Sequence, residues 1–454
     1  MLRSIGSATV LALLMVGCGG SSSGDSSPPP PAPPVTYALG GGTVSGLVGS
    51  GLTLVLHIPS PGANKGTNVM AQINANGPFT FDSAYLPPGL APSGVFITQQ
   101  PVSPTQLCVL RAANFTHIEV GCSQHSYVAN AGDNTVSAYT VEATSGAPTA
   151  VGPPVATGKS PHAIAGAQDR QYVFVGNEGS NDISVFAVNI ESGALTAVPG
   201  SPFGAGTDPE ALALYNTSFL YVANAGSDTV SAFAVDTDTG SLAPLSLATF
   251  PTGKGPSSIT VEPTGRFMYV ANNGGSDDVS AYAVDPGTGV LTPLAGSPFP
   301  AGANPLSLAT GAGGKFLYSA NPDAISPSIS GFSIDQTTGV LSPLSGSPFS
   351  LPVSHYMATD QTGAYLYVTS GANVVGYSID ANTGALTALP GFPVAAGANA
   401  YSITVNPTNQ FLYVTNDGPA NVSGFTLDAS TGALTPITGS PFPAGNHPQF
   451  IAIF

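Results

Sequence analysis

Charge is scarce in this sequence: Asp, Glu, Lys and Arg make up 7% of its 454 residues, against roughly a quarter in ordinary domains. Only eight residues are Lys or Arg, and the formal net charge is −16 at pH 7. That balance argues against nucleic acid as a partner and against charge-driven attachment to anionic lipid. The soluble face must instead be built from Ser, Thr, Asn and Gln. Cysteine occurs three times with no C-x-x-C pair, which argues against a metal or redox centre and implies no cofactor. A serine-nucleophile motif, a phosphate-cradling glycine loop and an H-E-x-x-H pair are all missing. A mean hydropathy of +0.23 reflects Ala, Val and Leu spread through short strands, with no second membrane-spanning candidate after the N-terminus.

The chain begins with Met1-Leu2-Arg3, an apolar run from Val10 to Val16 too short to span a bilayer, and Gly17-Cys18-Gly19. This start resembles a bacterial lipoprotein signal, which implies removal of residues 1–17 and lipid on the Cys18 sulfur. Met15 stands where such signals more usually carry Leu. The competing reading is an ordinary secretory signal that happens to contain a cysteine; either way the protein is exported. Residues 18–35 follow as a Ser/Gly/Pro tract with four consecutive prolines, Pro28 to Pro31. At about 3.1 Å per residue it would act as a semi-rigid spacer of roughly 40 Å between lipid and folded protein. On the lipoprotein reading the membrane contact is the anchor alone, at the outer membrane or cell surface.

Residues 36–123 read as a small all-β domain of sandwich type, with strand-like runs at Leu52–Leu56, Phe79–Phe81 and Val95–Thr98 between Gly, Pro and Asn turns. With Cys18 given to lipid, Cys108 and Cys122 remain as a pair. In an oxidising compartment they form one disulfide, contributing about 3 kcal/mol on the loop-entropy estimate.

From residue 124 to 454 a single unit recurs. Phe219-Leu220-Tyr221-Val222-Ala223-Asn224, a Gly/Ser/Asp turn and Val230–Asp236 read as a β-hairpin. Its aromatic position recurs at Tyr127, Phe174, Tyr221, Tyr269, Tyr318, Tyr367 and Tyr413, spaced 47, 47, 48, 49, 49 and 46 residues apart. Seven repeats of four-strand length predict a seven-bladed β-propeller. In the fourth repeat the strands are Pro256–Val261, Phe267–Asn272, Val279–Val284 and Val290–Leu294. Pro293 is placed on the outer edge, where a ladder donor can be missing. The turn Asp285–Gly289 suits an aspartate that caps its own backbone. The first repeat lacks an innermost strand, and Gln449–Phe454 matches what is missing. The C-terminus is therefore expected to complete the first blade and close the ring.

The recurring phrase P-x-x-[IL]-[AT]…G-x-F-L-Y-V-[AT]-N…V-S-x-[FY] resembles the YVTN-type and lactonase-type seven-bladed propellers, a family that includes 6-phosphogluconolactonase-like proteins. It covers about Ser126 to Phe454 in seven copies. The absence of tryptophan sets the chain apart from WD-repeat propellers. The resemblance implies the propeller fold and, for activity, lactone chemistry. Phosphate- or carboxylate-bearing substrates ask for Arg forks, yet the repeats hold only Arg170 and Arg266, both in turns before second strands. A neutral lactone or ester is therefore the substrate class that would fit.

In a propeller the loops entering the innermost strands crowd one mouth of the channel. The residues after the strand-opening position run His162, Glu210, Ser257, Leu306, His355, Tyr401 and Gln449. His162 with Glu210 suggests a general base and an orienting carboxylate, and His355 or Tyr401 could polarise a carbonyl from across the channel. Ser257 and Gln449 are candidate ligand contacts, and Lys159 and Lys254 in mouth loops could receive one anionic group. The bland alternatives are polar residues at a wet mouth and solvated loop lysines. Asp133-Asn134, Asn181-Asp182, Ser227-Asp228 and Asp277-Asp278 recur at one place in each hairpin, as turn formers do, and no metal is expected.

Two functions follow from the sequence. The favoured one is a monomeric, lipid-anchored interaction scaffold of the cell envelope that binds a protein, a glycan or a small neutral ligand. The alternative is a lactonase-type hydrolase opening a neutral lactone or ester at the mouth.

Overall fold

Alternating apolar residues on either side of a Gly/Ser/Asp turn fold as the hairpin they spell. Phe219–Asn224 pairs with Thr229–Val235 in unbroken antiparallel register from Phe219↔Ala234 to Asn224↔Thr229. The computed structural model describes residues 41–454 except 48–49, 59–66, 82–93, 100–107, 115–116, 123, 167–170, 324 and 351–355. The signal-like segment 1–17 with its spacer 18–35, Arg170 and His355 all lie outside the described residues.

Seven antiparallel meanders form the propeller. Blade 4 shows the pattern: Pro256–Val261 innermost, then Phe267–Asn272, Asp278–Val284 and Leu291–Pro293. Every residue of its second strand is buried, because neighbouring blades cover both faces. This is why the Phe-Met-Tyr-Val-Ala-Asn run is apolar without alternation. The C-terminal strand Pro448–Ile453 pairs antiparallel with Gln124–Asn130 and supplies the innermost strand of blade 1. The ring closes as expected.

The repeat phrase has a physical reading. The second-strand tyrosine is fully buried and donates its hydroxyl to a glycine carbonyl in the turn of the next blade. The bonds run Tyr221 to Gly289 (2.7 Å), Tyr269 to Gly339, Tyr318 to Gly384, Tyr367 to Gly432 and Tyr413 to Gly146 across the seam. Gly289 sits at φ 70°, and a Cβ there would stand 2.5 Å from the Phe219 ring, so the turn carries no side chain. The asparagine ending the second strand donates to the serine of the third, as Asn224 does to Ser231 at 2.9 Å. Asp285 accepts from the N–H groups of Gly287 and Thr288, the self-capping turn read from sequence. Asn134, Asn181, Asp228 and Asp277 all have positive φ. Each accepts a backbone N–H from the strand-entry loop of the following blade, Ser160, Asp208, Gly255 and Asn304 respectively. They are turn formers that also lace blades together.

Two details differ from the four-strand expectation. In six blades the outer edge is split, with a second two-residue piece such as Phe299–Pro300 returning to the third strand. Where a Gly-Ser-Pro segment makes the break, the serine hydroxyl takes the N–H left open: Ser201 accepts from Val185, Ser297 from Ala281, Ser347 from Gly331 and Ser440 from Gly424. Blade 3 replaces that segment with Leu247-Ala248-Thr249 and runs as one strand, Leu242–Pro251. Blade 6 loses both members of the Asn–Ser pair together, carrying Ser370 and Val375 instead.

Before the propeller, two small sheets face a common core. One holds four strands, Gly77–Thr80, Gly41–Ser45, His117–Cys122 and Cys108–Asn114; the other holds Thr67–Ile73, Leu52–Ile58 and Gly94–Gln99. Leu52, Leu54, Leu56, Val69, Ile118 and Val120 are among the residues that fill the space between them. Cys108 and Cys122 stand opposite each other in register and are joined as a disulfide.

Candidate functional site at the channel mouth

The innermost strands open with a fault in the ladder that their sequence does not announce. In blade 2, Pro161 pairs with Asn177 and Ala163 with Gly176, leaving His162 as an extra residue. The same one-residue bulge falls at Glu210, at Ser257, within Tyr401–Ser402 and within Gln449–Phe450. A bulge bends the strand and re-aims the side chains at it. Here five successive blades use that device at the mouth.

His162 is the centre of what results. It is 5% exposed. Its Nδ1 lies 3.0 Å from the backbone carbonyl of Glu210, and its Nε2 lies 2.9 Å from the Tyr401 hydroxyl. A carbonyl can only accept, so Nδ1 carries the proton and Nε2 is left as the acceptor for Tyr401 O–H. The Glu210 carboxylate stands 3.7 Å from Nδ1. The orienting bond therefore comes from Glu210's main chain, and its carboxylate sits behind the ring as a charge. Burial raises the Glu210 carboxyl above its usual range. His162 pulls it back, while Glu178 and Asp208 push it further up.

Tyr401 does not act from the far side of the channel. It belongs to blade 7, two blades from His162 around the seam, and is bonded to it directly. Its hydroxyl also lies 3.3 Å from that of Tyr356. Burial raises both phenols, Tyr356 well above the ordinary tyrosine value, so both remain neutral donors. Phe450 packs beside this group, its ring edge-on to His162 (5.0 Å between centroids) and to Tyr356 (4.8 Å). Tyr356 and Phe450 occupy one column that is small elsewhere: Ala163, Ala211, Ser258, Ser307 and Ser402. Reading only the neighbouring column passes over them. The aromatic exceptions in this column are the signal that finds them.

The other expected residues do different work. Ser257 is buried and donates to the Pro305 carbonyl at 3.0 Å, tying blade 4 to blade 5. Gln449 donates to Asp417 at the rim, beside the His447–Asp417 pair. Lys159 and Lys254 are exposed, and their backbone N–H groups bond Ser180 and Ser276 within the mouth loops. Arg266 lies on the opposite rim, where it donates to Gln336. The arrangement can move a proton to Nε2 and offer a phenol O–H to an oxygen.

The comparisons agree with this architecture. Residues 111–208, 197–303, 243–352 and 347–452 match the family described as lactonase, 7-bladed beta-propeller. A periplasmic gluconolactonase of Pseudomonas aeruginosa superposes with a TM-score of 0.62 at 20% identity, over 73% of this chain and 99% of that one. A Bacteroides fragilis protein named as a candidate 6-phosphogluconolactonase gives 0.64 at 19%, over 73% and 98%. A Lactobacillus plantarum protein gives 0.61 at 18%, over 73% and 99%. At these identities the likeness is one of fold. No curated protein matches the sequence.

Proposed function

We propose, from the premise that this chain belongs to the seven-bladed β-propeller lactonase family, that it hydrolyses a neutral lactone or ester at the channel mouth. The observation that carries the reading is the 2.9 Å bond from Tyr401 to His162 Nε2, with Nδ1 fixed on Glu210. The Tyr401 proton serves one acceptor at a time. When a substrate carbonyl oxygen takes it, Nε2 is released to accept a proton from water. That water's oxygen bonds to the carbonyl carbon, and the imidazolium forms beside the Glu210 carboxylate. The ring C–O bond then breaks, and the imidazolium returns its proton to the departing oxygen, leaving a hydroxy acid. None of the seven strand-opening positions carries Lys or Arg, which favours an uncharged substrate over a phosphosugar.

The disulfide supports an oxidising setting, consistent with the export implied by the first residues; cell fractionation checks it. The interaction-scaffold reading has no comparable geometric observation behind it.

Turnover of uncharged five- and six-membered lactones by the purified protein tests the proposal. His162→Ala is expected to cost roughly 10²–10⁴-fold in kcat/KM, and Tyr401→Phe roughly 10²-fold. Activity that survives both substitutions, or no activity on any lactone, overturns it.

A further inference from the structure

The mouth is not symmetric around its ring. Blades 2 and 3 present His162 and Glu210, while blades 5, 6, 7 and 1 present Leu306, Tyr356, Tyr401 and Phe450. Leu306, Tyr401 and Phe450 are half-buried and pack against one hydrophobic cluster to which Tyr356 belongs. Leu306 breaks the pattern of its column, where the six other blades carry His, Glu, Ser, Tyr or Gln. Blade 5 also carries Ile325, 88% exposed, in the loop between its second and third strands. By the topology of the meander, that loop lies at the same end as the opening of the innermost strand.

From this continuous apolar wall beside the proton-transfer pair, we propose that the substrate is a lactone or ester bearing an aliphatic chain. The inference rests on the hydrolase reading above and adds the substrate class to it. The polar head lies against His162, Tyr401 and Glu210. The chain runs over Phe450 to Leu306, both half-buried and backed by the buried Tyr356 cluster, with its far end reaching the lip at Ile325. An apolar chain recovers free energy only where it leaves water against apolar surface, and the Leu306 side of the mouth offers that surface. Lys159 and Lys254, both exposed in mouth loops of blades 2 and 4, are the cations on this rim and lie away from the Leu306 side in blade 5, so the apolar side offers no Arg fork for a carboxylate or phosphate.

The test is kcat/KM on uncharged γ-lactones whose linear alkyl side chain grows from one to eight carbons. It is expected to rise roughly two- to fourfold per methylene. Leu306→Ser flattens that rise, read as the long-to-short ratio within the variant. Ile325→Ser, at an exposed position that folding does not need, reduces the ratio only for the longest chains. A rate independent of chain length, or a slope unchanged in both variants, overturns the inference while leaving the hydrolase reading intact. Failure to hydrolyse any member of the series overturns the hydrolase reading itself.

Discussion

Glu210 is placed where its charge is useful to chemistry and unfavourable to folding. Burial raises its carboxyl above the usual 4.5, and the nearby Glu178 and Asp208 add to that. A raised carboxyl is protonated more readily in the folded state. Its contribution to stability is therefore fully present below pH ~4.5 and is lost as pH rises through the raised value. At neutral pH the ionised group is a net cost to the fold. Its benefit appears when His162 becomes an imidazolium 3.7 Å away. Glu210→Gln should consequently be more stable than the parent at pH 7 and equal to it near pH 3, by thermal melts at both values. The same variant should lose lactone turnover by roughly tenfold or more at pH 7, and its rate should lack the rise with pH that ionisation of Glu210 gives the parent. A variant no more stable at pH 7 than the parent would show that Glu210's ionisation carries no such cost.

At the scale of the element, the turns between third and outer strands hold a recurring carboxyl below its usual range. Hydrogen bonds from Thr288 and Gly287 hold the Asp285 carboxyl below its usual value, and Asp236, Asp335, Asp380 and Asp428 are held down in the same way. In blade 1, burial pushes Glu142 up, but bonds from Ser145 and Thr144 outweigh it and bring it to about 2. These groups contribute above pH ~4, and the contribution is lost as pH falls through their depressed values toward about 2. Blade 2 shows the neutral alternative: Asn189 accepts the same two N–H bonds, from Glu191 and Ser192. Replacing Asp236, Asp285 and Asp335 together by Asn should leave urea stability at pH 7 nearly unchanged and lower the pH midpoint of acid unfolding, followed by circular dichroism. An unmoved midpoint would assign the acid sensitivity to other groups. These turns were legible in the sequence because Asp-x-x-x-Gly recurs at a fixed place in an already visible period. The split outer edge was not, although Gly-Ser-Pro-Phe recurs too. A proline at an edge satisfies the expectation of a missing donor without saying that the chain breaks and returns. The bulges at the strand openings were equally hidden, since an extra residue changes no composition. Two columns meet at the mouth, so Tyr356 and Phe450 escaped a reading of one.

For the whole molecule, the order of the ring is set by seven similar seams, one of which joins the two ends of the propeller chain. Pro448–Ile453 and the residue after it are bound there from several sides. The strand pairs with Gln124–Asn130, and Phe454 exchanges both backbone hydrogen bonds with His125. The Phe454 ring lies 5.3 Å from that of Tyr127 and enters the core between blades 1 and 2. Ile451 and Ile453 enter the core between blades 7 and 1. The C-terminal strand therefore belongs to two interblade cores at once, besides carrying Phe450 into the mouth. Removing 449–454 should thus do more than fray a terminus: it exposes the inner edge of blade 1 and unpacks both flanking cores. The shortened protein should melt well below the full chain, with a broader transition, and should associate through the opened edge in sedimentation at rising concentration. Melting at the temperature of the full chain, with no association, would mean that the interblade tyrosine and asparagine contacts hold the ring without its closing strand.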